Sequence, residues 1–173
     1  MKEESIIGIV AAAIAILGIV LTYLQINQTK KIKRAEFVSD LLKAMRGNTE
    51  LSQIEYLLDY DITWYDEKFH GSPIESNIDN FLSHLNYVCF LRAKKLLSKK
   101  EFEIFEYELY RSVTNYDCKC YLWNIYHWSR KNNKKSSFAY LIEYLKSKIS
   151  KAELELFESD KTVNKYFKKY LNF

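Results

Sequence analysis

The chain has 173 residues, a net charge of +4 and three cysteines, with only one proline and four glycines. This mild positive charge excludes the strongly basic class of dedicated nucleic-acid-binding domains. An odd number of cysteines without regular spacing excludes a disulfide-framework protein. Because proline and glycine are the strongest helix breakers, their scarcity favours an all-α chain.

The first predicted element is a transmembrane helix. Residues from Ile6 to Ile26 carry no charge, and a helix of that length rises about 31 Å, which matches the hydrocarbon core of a bilayer. Glu3 and Glu4 do not suit the basic start of a cleaved signal peptide. We therefore expect residues 1–29 to form an uncleaved membrane anchor and residues 30–173 to form one helical domain.

The residues that flank the apolar segment predict its orientation. Lys30, Lys31, Lys33 and Arg34 follow it, whereas the N-terminal side is slightly acidic. The positive-inside rule places the basic side in the cytosol. We expect a single-pass protein of the inner cell membrane, with its N-terminus outside, its C-terminal domain cytosolic and membrane lipid as a partner.

A stripe of small or mildly polar residues runs along the apolar segment at spacings of three and four. Small residues let helix backbones approach closely, and the contact then drives association. The stripe predicts a homo-oligomer, with a pore at its centre as a further expectation; the alternative is that glycine and alanine are simply common in such helices. The predicted oligomerisation residues are Gly8, Ala11, Ala15, Gly18, Thr22 and Gln25.

The remaining chain has the apolar periodicity of helices. Lys30 to Arg46 extends the first helix, and Leu51 to Leu58 has the pattern of a second one. Three later segments begin with a serine followed by glutamate three residues on, at Ser72, Ser98 and Ser150, which is the pattern of a capping box. We expect roughly six helices in a bundle after the first helix.

One helix face carries a group of residues with chemical potential. Asn124, His127 and Arg130 are three residues apart and therefore share a face. Histidine could act as acid or base while arginine holds a phosphate; the alternative is an ordinary polar helix face. The sequence contains no glycine-rich phosphate loop, nucleophile elbow or histidine pair at metal spacing, so we predict no metal, no cofactor and, on balance, no enzyme.

Clusters of basic residues follow the helices towards the C-terminus, where they alternate with aromatic residues on a predicted amphipathic helix. Such a surface suits anionic lipid headgroups or stacked single-stranded RNA; the alternative is a solvated basic surface. The predicted lipid or RNA contacts are Arg92, Lys94, Lys95, Lys134, Lys135, Lys161, Lys165, Lys168 and Lys169.

The layout between Phe81 and Ile149 resembles that of known proteins. A long helix ends at Leu96-Leu97, a Ser-Lys-Lys-Glu restart leads to an aromatic helix that ends near Arg130-Lys131, and a helix from Phe138 to Leu145 follows. This layout resembles small bacterial membrane-anchored helical proteins of unassigned function, and is similar to the accessory membrane proteins of type VI-B CRISPR systems.

The resemblance implies a domain related to the HEPN nuclease fold and an oligomeric effector in phage defence, with RNA or an RNA-guided complex as a partner. HEPN nucleases carry an arginine four to six residues before a histidine. No arginine precedes His70, His84 or His127 at that distance. This departure favours action at the membrane over RNA cleavage.

The sequence therefore leaves three functional hypotheses. The first is a non-enzymatic, self-associating membrane effector that forms a pore or perturbs the bilayer in antiviral defence. The second is a membrane-tethered HEPN-like domain that binds or cleaves RNA. The third is a membrane-tethered adaptor that recruits a protein partner.

Overall fold

The computed structural model describes the backbone of residues 2–159 and 164–169, and the side chains of residues 7–8, 14–159 and 164–169. Across the described backbone the regular elements are helices, and no strand occurs. The all-α prediction is therefore confirmed.

The first helix, α1, runs without interruption from Lys2 to Arg46. The expected continuation of the apolar segment into the following basic segment is therefore correct. The chain divides by its internal contacts into a first unit that ends at Ala44 and a second unit that begins at Met45. The domain boundary predicted from the sequence, between residues 29 and 30, lies earlier in the chain than this division.

The predicted transmembrane anchor is wrong. Within the described residues, no helix combines the length and the apolar character that crossing a membrane requires. The single-pass inner-membrane location and its orientation, which rested on that anchor, are withdrawn with it.

The second unit contains the remaining helices. Five of these helices begin within a few residues of a predicted start, namely those that start at Thr49, Pro73, Lys99, Ala139 and Lys151. The aromatic helix predicted after Ser98 is instead divided, with new helices that begin at Glu106 and at Tyr116. The elements are α2 (Thr49–Asp59), α3 (Pro73–Ala93), α4 (Lys99–Phe102), a 3₁₀ turn (Glu103–Phe105), α5 (Glu106–Thr114), α6 (Tyr116–Lys131), α7 (Ala139–Lys148) and α8 (Lys151–Glu158).

Helix α3 is central to the second unit because it packs on α7 and on α2, while α5 packs on α6 and α7. The apolar residues of α3 recur at spacings of three and four residues, so a single apolar stripe faces the neighbouring helices. Asn86 on α3 also accepts hydrogen bonds from the N–H groups of Tyr140 (3.0 Å) and Leu141 (3.1 Å), and so caps the start of α7. The fully buried residues of α3 are Ile78, Phe81, Leu82, Leu85 and Val88.

The three predicted capping boxes have different outcomes. Ser98 forms the complete box with Glu101. Ser150 accepts from the N–H of Glu153 at 3.2 Å, but the carboxylate of Glu153 pairs with Lys119. The box at Ser72 is wrong: its hydroxyl donates to the carbonyl of Phe69 at 2.5 Å. A nearby tertiary or loop partner thus competes with the local cap.

The predicted C-terminal amphipathic helix is wrong for the part of it that is described, because residues 164–169 have irregular backbone. The buried side chains there are Asn164 and Phe167. Phe167 stacks on Trp123, with ring centroids 5.2 Å apart. This segment therefore packs on α6 as an irregular strap, in which helical spacing no longer decides which lysines share a face.

Candidate functional site

The predicted oligomerisation stripe lies on α1 and is open to solvent. Gly8, Ala15, Gly18, Thr22 and Gln25 are all exposed, while the side chain of the sixth member, Ala11, lies outside the described residues. A methyl group built at Gly8 or at Gly18 would meet nothing within 4 Å. The single chain therefore places no steric demand on these glycines.

The stripe forms the floor of a shallow groove on the surface of α1. Ala15, Gly18 and Thr22 line it, and Ile19, Tyr23 and Ile26 form its walls. The Thr22 hydroxyl donates to the carbonyl of Gly18 at 2.8 Å, so this polar group is satisfied within the helix. The groove consequently presents an apolar surface into which a ridge of side chains from another helix would fit.

Large apolar side chains cover the other faces of α1 as well as the sides of the groove. Successive residues of a helix turn by about 100°, so an uninterrupted apolar run covers the whole circumference. These side chains are between 48% and 69% exposed. They are Ile14, Ile16, Leu17, Ile19, Val20, Leu21, Tyr23, Leu24 and Ile26. A helix that is apolar all round is normally covered in its working state.

The alternative catalytic group on α6 is held in structural contacts. Asn124 is fully buried, and its amide donates to the carbonyls of Cys120 (2.9 Å) and Lys168 (2.7 Å). His127 places Nε2 3.0 Å from the carbonyl of Phe157. Arg130 is exposed, and its guanidinium donates to the Tyr126 hydroxyl at 3.2 Å. The three side chains thus turn to three different partners.

A buried carboxylate that the sequence analysis missed holds the second unit together. Asp117, in the first turn of α6, accepts hydrogen bonds from the N–H groups of Trp64 (2.8 Å) and Tyr65 (3.1 Å). Its other oxygen lies 2.9 Å from the ammonium of Lys168. Asp117 therefore ties both the loop after α2 and the C-terminal strap to α6. Aspartate early in a helix is common for electrostatic reasons alone, so no local signal marks it.

Two carboxylates one turn apart on α3 have opposite pKa shifts. Glu75 is partly desolvated, but hydrogen bonds from the Gly71 N–H (2.6 Å) and from His70 (2.8 Å) favour its charged form, so its pKa is lowered. Asp79 is half-buried, and burial raises its pKa even though the Tyr121 hydroxyl donates to it at 2.5 Å. The start of α3 therefore holds one stabilised and one destabilised negative charge.

The predicted basic contact residues do not share one role. Arg92 donates to the carbonyl of Leu97 at 3.3 Å, and Lys168 is engaged by Asp117. Lys134 lies 5.3 Å from the ring centroid of Trp128, and Lys135 lies 4.9 Å from that of Tyr140. Lys161 lies outside the described residues. The other members, Lys94, Lys95, Lys165 and Lys169, are exposed.

The cysteines are structural. Cys89, Cys118 and Cys120 are buried and free, and burial raises the pKa of Cys89 to about 12. A thiol with such a pKa is a poor nucleophile. Among the described side chains, no three His, Cys, Asp or Glu residues are grouped so that they could hold a metal ion.

Comparison of the chain with models of protein families, with curated proteins and with solved structures gives no match. The resemblance to type VI-B CRISPR accessory proteins, the HEPN-like relationship and the role in phage defence therefore stay predictions.

Proposed function

We propose that this protein is a non-enzymatic, self-associating protein that assembles through α1, with the second unit as the part that each copy presents to other molecules. The observation that carries the proposal is the exposure of nine large apolar side chains between Ile14 and Ile26. The occupant is a second copy of the chain, because the groove around Gly18 and the apolar ridges beside it lie on the same helix and complement each other.

The energetics support assembly by several copies. Covering the nine side chains would contribute on the order of 10 kcal/mol per helix, which is comparable to the roughly 4–15 kcal/mol that association costs. Two helices in contact would cover only one face of each. Because the apolar side chains occupy every face, a bundle of more than two copies covers more of them than a pair does.

Sedimentation velocity of the full-length chain tests the proposal, since it gives the mass of the assembly. We expect several copies for the natural sequence and a smaller assembly for Gly18→Leu. The bulk of leucine is harmless within one chain, because the space around Gly18 is open. Gly18→Ala is the control for helix propensity, and Val20→Leu, on the opposite face of α1, is the control for added bulk.

Cysteine cross-linking tests the same contact by distance. Gly18→Cys should form a disulfide between copies faster than Val20→Cys, and the three buried native cysteines provide a low background. A mass of one copy, or an assembly that Gly18→Leu leaves unchanged, would refute the proposal. A stable complex with one different protein, in place of self-assembly, would instead identify an adaptor.

A further inference from the structure

A second feature, independent of α1, lies in the second unit between the end of α6 and the start of α7. A cavity of about 190 Å³ opens there. Water occupies about 30 Å³ per molecule in the liquid, so the cavity has room for roughly six waters or for a small organic ion. Its lining residues are Tyr126, Ser129, Arg130, Lys134, Ser136, Ala139, Ile142 and Glu143.

The charges around this cavity are unbalanced. Among the described residues, neither Arg130 nor Lys134 forms an ion pair with a carboxylate. The one lining carboxylate, Glu143, lies 3.6 Å from the ammonium of Lys146. Lys146 pairs in turn with Glu158 at 2.9 Å. Because Lys146 is shared by two carboxylates, these five side chains together carry a net charge of +1. Arg130 and Lys134 are the two cations of the lining that have no carboxylate partner among the described residues.

The Arg130 guanidinium is held in place before any ligand arrives. It donates to the Tyr126 hydroxyl at 3.2 Å and lies 5.5 Å from the centroid of the same ring. A guanidinium has five N–H donors, so this contact leaves most of them available. An oriented arginine loses less freedom on binding an anion than a free one does.

Ser129 supplies a second and independent indication of a ligand. Its side chain is 3% exposed, and its hydroxyl has no hydrogen-bond partner among the described residues. A buried serine within a helix ordinarily donates to the carbonyl four residues earlier. A buried hydroxyl without a partner is destabilising, and such groups call for an explanation such as a bound ligand.

We infer that this cavity binds a phosphate monoester in its dianionic form. Arg130 and Lys134, which have no carboxylate partner among the described residues, can each contact a phosphoryl oxygen, and the Ser129, Ser136 and Tyr126 hydroxyls can donate to the others. A carboxylate carries one charge and two oxygens, which would leave part of this donor set without a partner. Ala139 and Ile142 provide an apolar wall for the organic group of the ester.

Isothermal titration calorimetry of the full-length chain with inorganic phosphate and with phenyl phosphate tests the inference. We expect saturable binding of both, weakened about tenfold or more by Arg130→Gln and several-fold by Ser129→Ala. Lys135→Gln removes the same charge outside the cavity and should change the affinity less than about twofold. Affinity for phenyl phosphate should also fall below about pH 6, where a phosphate monoester loses its second charge.

Ser129→Ala also separates binding from folding. Because the native hydroxyl has no partner in the part of the chain that the structure describes, its removal should leave the thermal midpoint unchanged or higher while phosphate binding weakens. Absence of saturable phosphate binding would overturn the inference. Equal weakening by Arg130→Gln and Lys135→Gln, or tighter binding of an oligouridylate than of phenyl phosphate, would also overturn it, because either result indicates a diffuse basic surface.

Discussion

Replacement of Asp117 by alanine should destabilise the second unit more than any single change at its surface. Asp117 accepts two hydrogen bonds from buried backbone N–H groups and one from Lys168, at 2.8, 3.1 and 2.9 Å. A buried donor left without a partner costs about 1–3 kcal/mol. Two such donors and a broken ion pair are not additive, and we expect a loss of about 3–5 kcal/mol.

Two milder substitutions separate the contributions. Asp117→Asn keeps an oxygen that can accept from the Trp64 and Tyr65 N–H groups but removes the charge opposite Lys168, so we expect a loss of about 1–2 kcal/mol. Lys168→Met keeps the apolar stem of the side chain and removes the same ion pair, with a similar expected loss. The double variant should lose less than the sum of the two single losses, because both act on one contact.

Urea denaturation monitored by tryptophan fluorescence is the appropriate assay, because Trp64, Trp123 and Trp128 all lie in the second unit. Trp64 is buried and its backbone N–H donates to Asp117, so its fluorescence reports on the surroundings of this contact. Glu67→Gln, an exposed carboxylate in the same loop, is the control and should change stability by less than about 0.5 kcal/mol. A loss for Asp117→Ala that is no larger than this control would refute the reasoning.

Three further predictions concern α3 and α6. Glu75→Gln should destabilise the second unit at pH 7, because the lowered pKa of Glu75 means that its charged form stabilises the fold. This stabilisation disappears as the pH falls and the carboxylate is protonated, so the substitution should have little effect in acid. Urea titrations at pH 7 and pH 3 measure the difference. Asp79→Asn should stabilise the second unit at pH 7, because the raised pKa of Asp79 means that the folded state disfavours its charge. The same titrations should show that this gain in stability vanishes in acid. His127→Ala should lower the free energy of unfolding by about 1–2 kcal/mol, and with it the thermal midpoint, because the contact with the Phe157 carbonyl is lost. An unchanged midpoint together with a lost RNA-linked activity would instead favour a nuclease role.

The positions of the helices were predictable because the signals that determine them are local. Apolar spacing located α2, α3, α6 and α7, and the Ser98 box was correct because both of its hydrogen bonds lie within four residues of chain. The capping-box pattern failed at Ser72. The Ser72 hydroxyl donates to the carbonyl of Phe69, and the carboxylate of Glu75 accepts from Gly71 and contacts His70. Both side chains could reach either the capping partners within α3 or partners in the preceding loop, and in the packed structure they bond to the loop.

The residues related to function also fall into two groups: those that local sequence patterns predict and those that only helix packing brings together. By itself, the sequence determined that the chain is helical and that Gly8, Ala15, Gly18, Thr22 and Gln25 share one face of α1, since helical geometry places residues three and four apart on the same side. Only the tertiary structure decided that Asp117 would receive Trp64, Tyr65 and Lys168, that Asn124 and His127 would serve the core, and that Ser129 and Arg130 would border a cavity. Those partners lie about 30 to 50 positions apart along the chain or on different helices. No periodicity encodes such meetings, because they depend on how the helices pack.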